Sequence, residues 1–157
     1  MKEYLQEKYD KMFDFGTCAI CSIALADSEM FDCRTYPDVV YSLLKRWKGI
    51  NRNNHIIWKR LEWIFSIKSR VFLFSKRHYD LDTIQTPAII SIDGNKFKDG
   101  YQSHFMYLRK IIYHDILKKE ILADIFCPIR GNKKLKLKQE EIYSIINLTA
   151  AGLTNTT

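Results

Sequence analysis

Glycine and proline are scarce in this sequence, with six and three in 157 residues, which excludes collagen-like, Gly/Pro-rich and linker-dominated architectures. No apolar run approaches the roughly 18 residues of a membrane-spanning helix, and no internal repeat or low-complexity tract marks a domain boundary. The four cysteines are too few and too irregularly spaced for the disulfide lattice of a small secreted domain, so free thiols are expected. Neither Gly-x-Gly-x-x-Gly nor Gly-Lys-Ser/Thr occurs, which removes the commonest phosphate loops. The first eight residues alternate in charge and lack the basic start and apolar core of a secretory leader, so a cytoplasmic location and no membrane partner are expected.

What is present is apolar and basic. With 46% hydrophobic, 13% aromatic and 27% charged residues, the chain has the composition of a globular domain, and its length fits a single one over 1–157. Lys, Asn, Ile, Tyr and Phe make up 62 residues, against 24 for Gly, Ala, Arg and Pro, the signature of an AT-rich genome. A low-GC bacterium, a phage or another mobile element fits that bias.

Hydrophobic spacing predicts a helix over 2–14 closed by Gly16, a largely buried helix or a strand over 17–30, and an amphipathic helix over 36–48. Pro37 near its start and Gly49 past its end punctuate the third of these. A further helix is expected over 54–67, then short strands at 71–74 and 88–92. Tyr101, Phe105, Leu108, Ile112 and Ile116 share a narrow helical arc, which predicts the longest helix up to about Phe126, before Pro128. Lys134 to Lys138 alternates like a lysine-guarded edge strand, and a last helix is expected over 139–150, capped by Gly152. The expected class is α+β, a helix-rich single domain with a small two- or three-stranded sheet.

The formal charge of +7 is unevenly spread. Residues 1–44 carry four basic and eight acidic side chains, net −4, whereas residues 45–79 carry ten basic side chains against Glu62 alone, net +9. The basic run is Lys45, Arg46, Lys48, Arg52, Lys59, Arg60, Lys68, Arg70, Lys76 and Arg77, and all three tryptophans, Trp47, Trp58 and Trp63, lie within it. Cations neutralise phosphates while aromatic faces and Arg planes stack on bases, so RNA or a ribonucleoprotein is the expected partner, with an acidic protein surface as the other anionic possibility. The residues expected to carry binding are Lys45, Lys48, Arg52, Lys59, Arg60, Lys68, Arg70, Lys76, Arg77 and Trp58. The expected activity is non-catalytic, that of a small modulator encoded by a phage or mobile element, for instance an inhibitor of a host nucleoprotein. Solvated lysines and core tryptophans are the plainer explanation, and Trp47, on the apolar stripe, belongs to the core.

Two other constellations carry chemistry. Cys18-x-x-Cys21 has the spacing of half a zinc site, but Cys33 and Cys127 stand alone and the apolar flanks raise a thiol's pKa, so buried structural thiols and no cofactor are expected. The acidic set His78, Asp80, Asp82, Asp93 and Asp99, with His104, His114 and Asp115 later, offers a metal-dependent nuclease or nucleotidyl-transfer reading centred on Asp93. Lys96 and Lys98 stand near Asp93 to meet phosphate, although Asp-Gly after a strand is also common turn chemistry. A protein-only interaction module, with an acidic and a basic half, is the third class. The tail from Leu137 to Asn155 resembles the first helix and turn of quorum-sensing-type helix-turn-helix regulators. That resemblance covers about a tenth of the chain and does not reach a recognition helix, so the segment reads as a capped helix with Leu153 packing back on it.

Overall fold

Residues 103–127 carry apolar side chains at every position that both a helix and a strand need, and they form a hairpin instead of the long helix that their spacing suggests. The computed structural model describes residues 2–13, 17–53, 55–64, 73–74, 77–93 and 103–149. Four helices come first: α1 (Gln6–Phe13), α2 (Cys18–Met30), α3 (Pro37–Arg46) and α4 (Trp58–Trp63). Six strands follow: β1 (Leu73–Phe74), β2 (Ala88–Asp93), β3 (Ser103–Asp115), β4 (Glu120–Cys127), β5 (Gly131–Lys138) and β6 (Ile142–Thr149). The sheet is antiparallel in the order β1-β6-β2-β3-β4-β5, so the expected small sheet of two or three strands in a helix-rich domain is wrong.

The physical reason lies in β3, β4 and β6. Each is rich in β-branched and aromatic residues, and the stretches Met106–Leu108, Ile125–Cys127 and Ser144–Ile146 bury both faces, so apolar residues run consecutively there and period 3.6 cannot be told from period 2. The turn between β3 and β4 supplies the decisive local signal. Asp115 Oδ1 accepts from the Lys118 amide at 3.0 Å, the Lys119 amide donates to Ile116 O at 3.3 Å, and Lys119 takes a left-handed φ of 50°. The segment expected to be a last helix over 139–150 is a short 3₁₀ turn followed by β6, which ends the likeness to a helix-turn-helix. Helices α1, α3 and α4 and strands β1, β2 and β5 stand where the spacing puts them, with shorter bounds for α1 and α3 and a later start for α4, whose expected residues 65–67 lie outside the described residues; of the helix and strand open for 17–30, the helix α2 forms. The caps expected at Gly16 and Gly152 lie outside the described residues.

Five strands lying flat would place β5 and β6 about 19 Å apart at roughly 4.8 Å per step. Only Gln139–Glu141 joins them, one 3₁₀ turn with a rise of about 2 Å per residue, so the sheet has to curl until the end of β5 comes near the start of β6. The Gln139 amide also donates to Lys119 O at 3.0 Å, tying that turn to the β3–β4 hairpin. Curling splits the interior into two cores. On one face Ile89, Tyr107, Phe126 and Ile146 pack against Ile20, Ile23, Leu44, Leu61 and Ile64 of the helices. On the other face Ile90, Ile92, Met106, Leu108, Ile125 and Leu137 bury one another, with Leu81 of the 3₁₀ turn Leu81–Thr83 completing the cluster.

Helix α3 ends differently from its sequence signal. Lys48, not Gly49, adopts the left-handed φ of 58°, and the Gly49 amide closes the motif on Leu44 O at 2.7 Å. Gly49 serves close approach instead: a Cβ there would stand 2.8 Å from Leu44 Cδ2 and 2.9 Å from Ile64 Cδ1, both in the core. A non-glycine in that left-handed conformation costs about 1 kcal/mol. Lys48→Gly is therefore expected to stabilise the protein by roughly that amount in urea denaturation while removing one surface cation.

Asp27 is buried at the end of α2, where its carboxylate accepts from Thr35 Oγ1 and from Cys33 Sγ at 3.9 Å. Burial raises its pKa above the ordinary value despite those donors. A carboxyl raised in the folded state stabilises most when both states are protonated, and that contribution is lost as pH rises through the folded pKa. Asp27→Asn keeps an acceptor without the charge. It is expected to raise the melting temperature at pH 7, with the gain shrinking as pH falls toward the range of an ordinary aspartate; an equal gain at every pH would refute the charge explanation.

Candidate nucleic-acid interface

The basic segment folds into a helix–turn–helix unit of its own, α3 joined to α4. Leu44, Leu61 and Ile64 turn into the core, and periodicity leaves the charged positions outward. Asn51 shapes the turn: its Oδ1 accepts from the Asn53 and His55 amides at 2.9 and 3.0 Å, with Ile50 bridged to Ile56. Arg52 stands exposed within that turn, and does not extend the row of α3 because the helix ends at Arg46. Lys45, Lys48 and Lys59 are exposed as well.

The tryptophans organise the cations around them. Trp47 meets Trp63 edge-on at 6.4 Å, and both pack on the helix-side core. Arg46 lies 5.5 Å from the Trp47 ring and Arg60 4.3 Å from the Trp63 ring, close enough for cation–π attraction. Arg60 Nε donates to Trp47 O at 2.9 Å, which makes Arg60 a brace between α4 and the end of α3. Trp58 leans on Phe105 of β3 at 5.1 Å, and the Arg77 guanidinium lies 5.4 Å from the Trp58 ring. Arg77 Nε is buried and finds no acceptor among the described residues. An arginine beside an indole presents a planar cation next to an aromatic face.

Of the residues expected to bind, the structure thus puts Lys45, Lys48, Arg52 and Lys59 at the surface of one unit and Arg77 with Trp58 beside β3, while Arg60 is committed to a structural bond. Lys68, Arg70 and Lys76 lie outside the described residues. No family model matches this sequence, and no curated protein is similar enough to it to count as a relative.

A second basic surface went unweighted in the sequence. Lys134, Lys136 and Lys138 alternate with the inward Leu135 and Leu137 on β5, and they are exposed, as are Lys133 and Lys110. Their signal was there, in the period-two pattern that marks an edge strand. Only the register shows Lys110, Asp124 and Lys134 side by side across three strands.

The acidic and histidine set is dispersed. His78 pairs its backbone with Ile145 and its Nε2 lies 3.3 Å from Asn147 Oδ1; Asp80 caps the Leu81–Thr83 turn through the Asp82 amide at 3.0 Å. Asp82 Oδ1 lies 3.3 Å from His114 Nε2, within ion-pair range but without hydrogen-bond alignment, and Asp115 closes the β3–β4 turn. Strand β2 does carry Asp93 to its end, whereas Lys96, Lys98 and Asp99 lie outside the described residues. Among the described residues no three His, Cys, Asp or Glu side chains come together in a way that could hold a metal ion.

The cysteines form no disulfide. Burial pushes the Cys18 thiol up to about 11 and the Cys21 thiol up to about 12, as their apolar flanks imply. Two contacts were invisible in the sequence. His104 Nε2 lies 3.2 Å from Cys127 Sγ, both buried, and Arg109 holds Glu29 of α2 through three contacts of 2.7 to 3.0 Å while also bonding Asn132 at 2.6 Å. The second network locks α2 onto the sheet, and contacts 23 and 80 residues apart leave no local trace. Among the described residues no helix is long and apolar enough to cross a membrane.

Proposed function

We propose that the protein is a non-catalytic binder of RNA or of an RNA-containing complex, acting through the α3–α4 unit and the adjoining Arg77–Trp58 pair. The observation that carries this reading is the joint exposure of Lys45, Lys48, Arg52 and Lys59 on one short unit. Its indoles hold further arginines against their faces. Point charges on flexible stems meet phosphates, and Arg–aromatic pairs offer planar surfaces to unstacked bases. The AT-rich coding bias supports a modulator encoded by a phage or mobile element as the setting for that activity.

Fluorescence anisotropy with labelled single-stranded RNA, duplex RNA and DNA, at 50 and 200 mM salt with and without Mg²⁺, tests the proposal. Steep salt-dependent binding without cleavage is the expected result. No binding to any of the three would overturn it and move the basic face to an acidic protein partner, and Mg²⁺-dependent cleavage would return attention to Asp93.

A further inference from the structure

The β3–β4 hairpin ends in large apolar side chains that the protein leaves uncovered. Leu117 is 96% exposed, Ile116 66%, Tyr113 63% and Ile112 44%. A single exposed apolar side chain needs no explanation, but four of this size at one hairpin end form a patch. Ladder pairing closes the hairpin up to Asp115 and Glu120, and the four residues between them form the turn. Lys118 and Lys119 complete that turn, both exposed.

Shape, backbone and charge fit this tip to a lipid surface. A hairpin end one turn wide is convex, so it offers a partner protein no groove, whereas a bilayer boundary yields to a convex apolar tip. The turn's backbone is largely paired already: the Lys118 amide donates to Asp115 Oδ1 at 3.0 Å, the Lys119 amide to Ile116 O at 3.3 Å, and Lys119 O accepts from the Gln139 amide at 3.0 Å. Few peptide groups would therefore lose water without a partner on reaching an apolar medium. The nearby carboxylates are offset within the protein. Asp115 is turned to the Lys118 amide, Glu120 stands opposite Lys138 in the β4–β5 register, and Glu140 and Glu141 share a hollow with Lys136 and Lys138. Lys118 and Lys119 make no ion pair among the described residues, which leaves two cations at the apex for anionic headgroups. Tyr113 lies three residues before Ile116, roughly 10 Å back along the strand at about 3.4 Å per residue, at the level where tyrosine meets headgroups.

We propose that the β3–β4 tip docks on the surface of a bilayer containing anionic phospholipid, with Ile116 and Leu117 entering the acyl boundary, Tyr113 at the headgroups, and Lys118 and Lys119 on lipid phosphates and carboxylates. Such a contact is peripheral and needs neither a spanning helix nor a leader, the two features whose lack led to the expectation of no membrane partner. It uses no residue of the α3–α4 unit and does not rest on the RNA reading.

The test is co-sedimentation of the full chain with sucrose-loaded vesicles of phosphatidylcholine and phosphatidylserine (7:3) at 150 mM salt. Two inserted side chains hold less than a single myristoyl chain does, so half of the protein is expected to pellet at about 1 mM accessible lipid. The double variant Ile116→Ser, Leu117→Ser is expected to bind at least about tenfold more weakly, and Lys118→Gln with Lys119→Gln roughly tenfold more weakly. Both pairs are exposed, so these variants should fold as the parent does. A second readout fixes the orientation. In methyl NMR with bicelles of the same lipids carrying a spin-labelled acyl chain, the Ile116 and Leu117 methyls should broaden, and those of Val39 on α3, 55% exposed, should not. Broadening at Val39 in place of the tip, or unchanged pelleting of the Ile116→Ser, Leu117→Ser protein, would mean adsorption through the basic α3–α4 unit and would overturn the proposal. No pelleting of the parent would overturn it too and assign the tip to a protein partner.

Discussion

Exchanging Lys45, Arg52 and Lys59 for glutamate is expected to lower affinity for single-stranded RNA about 100-fold at 50 mM salt. The salt slope should flatten by about two units, since each phosphate contact to a single strand contributes roughly 0.7. All three side chains are exposed, so the variant should melt within a few degrees of the parent. Arg60 is left out because its Nε holds Trp47 O and its plane lies against Trp63, so its loss would confuse binding with folding. Lys133, Lys134 and Lys138 changed to glutamate form the matching control on β5. Anisotropy titrations of both triple variants decide between the two basic surfaces: a loss confined to the first supports the α3–α4 unit, and unchanged affinity and slope in it would refute the proposed interface.

Leu81→Ala is expected to cost about 3 kcal/mol in urea denaturation, with little change in m. Leu81 is fully buried although it belongs to a single 3₁₀ turn, because it fills the strand-lined core where the sheet curls on itself. The backbone around it is pinned at several points. Gln139 Oε1 accepts from the Leu81 amide at 2.8 Å, Gln139 Nε2 donates to Tyr79 O at 2.6 Å, and Asp82 stands beside His114. A pinned backbone cannot move in to refill the space, so the cavity persists and the cost stays within the range for buried leucines. Leu117→Ala, at 96% exposure on the β3–β4 turn, should cost less than about 0.5 kcal/mol. A cost below about 1 kcal/mol for Leu81→Ala would mean that this turn does not close the second core.

Much of the candidate interface was legible because it is a matter of charge and helical spacing. Helix α3 stands almost where Pro37 and the stripe Val40, Leu44 place it, and the cations opposite that stripe are exposed. The bond from Arg60 to Trp47 O was not legible, since it spans the α3–α4 turn and depends on where that turn brings the two helices.

Local sequence determined helices α1, α3 and α4, the lysine-guarded edge strand and the concentration of positive charge in 45–79, since each rests on spacing, turn chemistry or composition within about fifteen residues, whereas 17–30 was left between helix and strand. Tertiary structure alone decided that 103–127 is a hairpin and 142–149 a strand. A segment buried on both faces shows no period, and its conformation is settled by partners far along the chain: β6 pairs with β2, 50 to 59 residues away, and both then curl around Leu81. The contacts between Glu29 and Arg109 and between His104 and Cys127 belong to that same class. Each exists only because the curled sheet and the helices packed on it bring together groups that the sequence keeps apart.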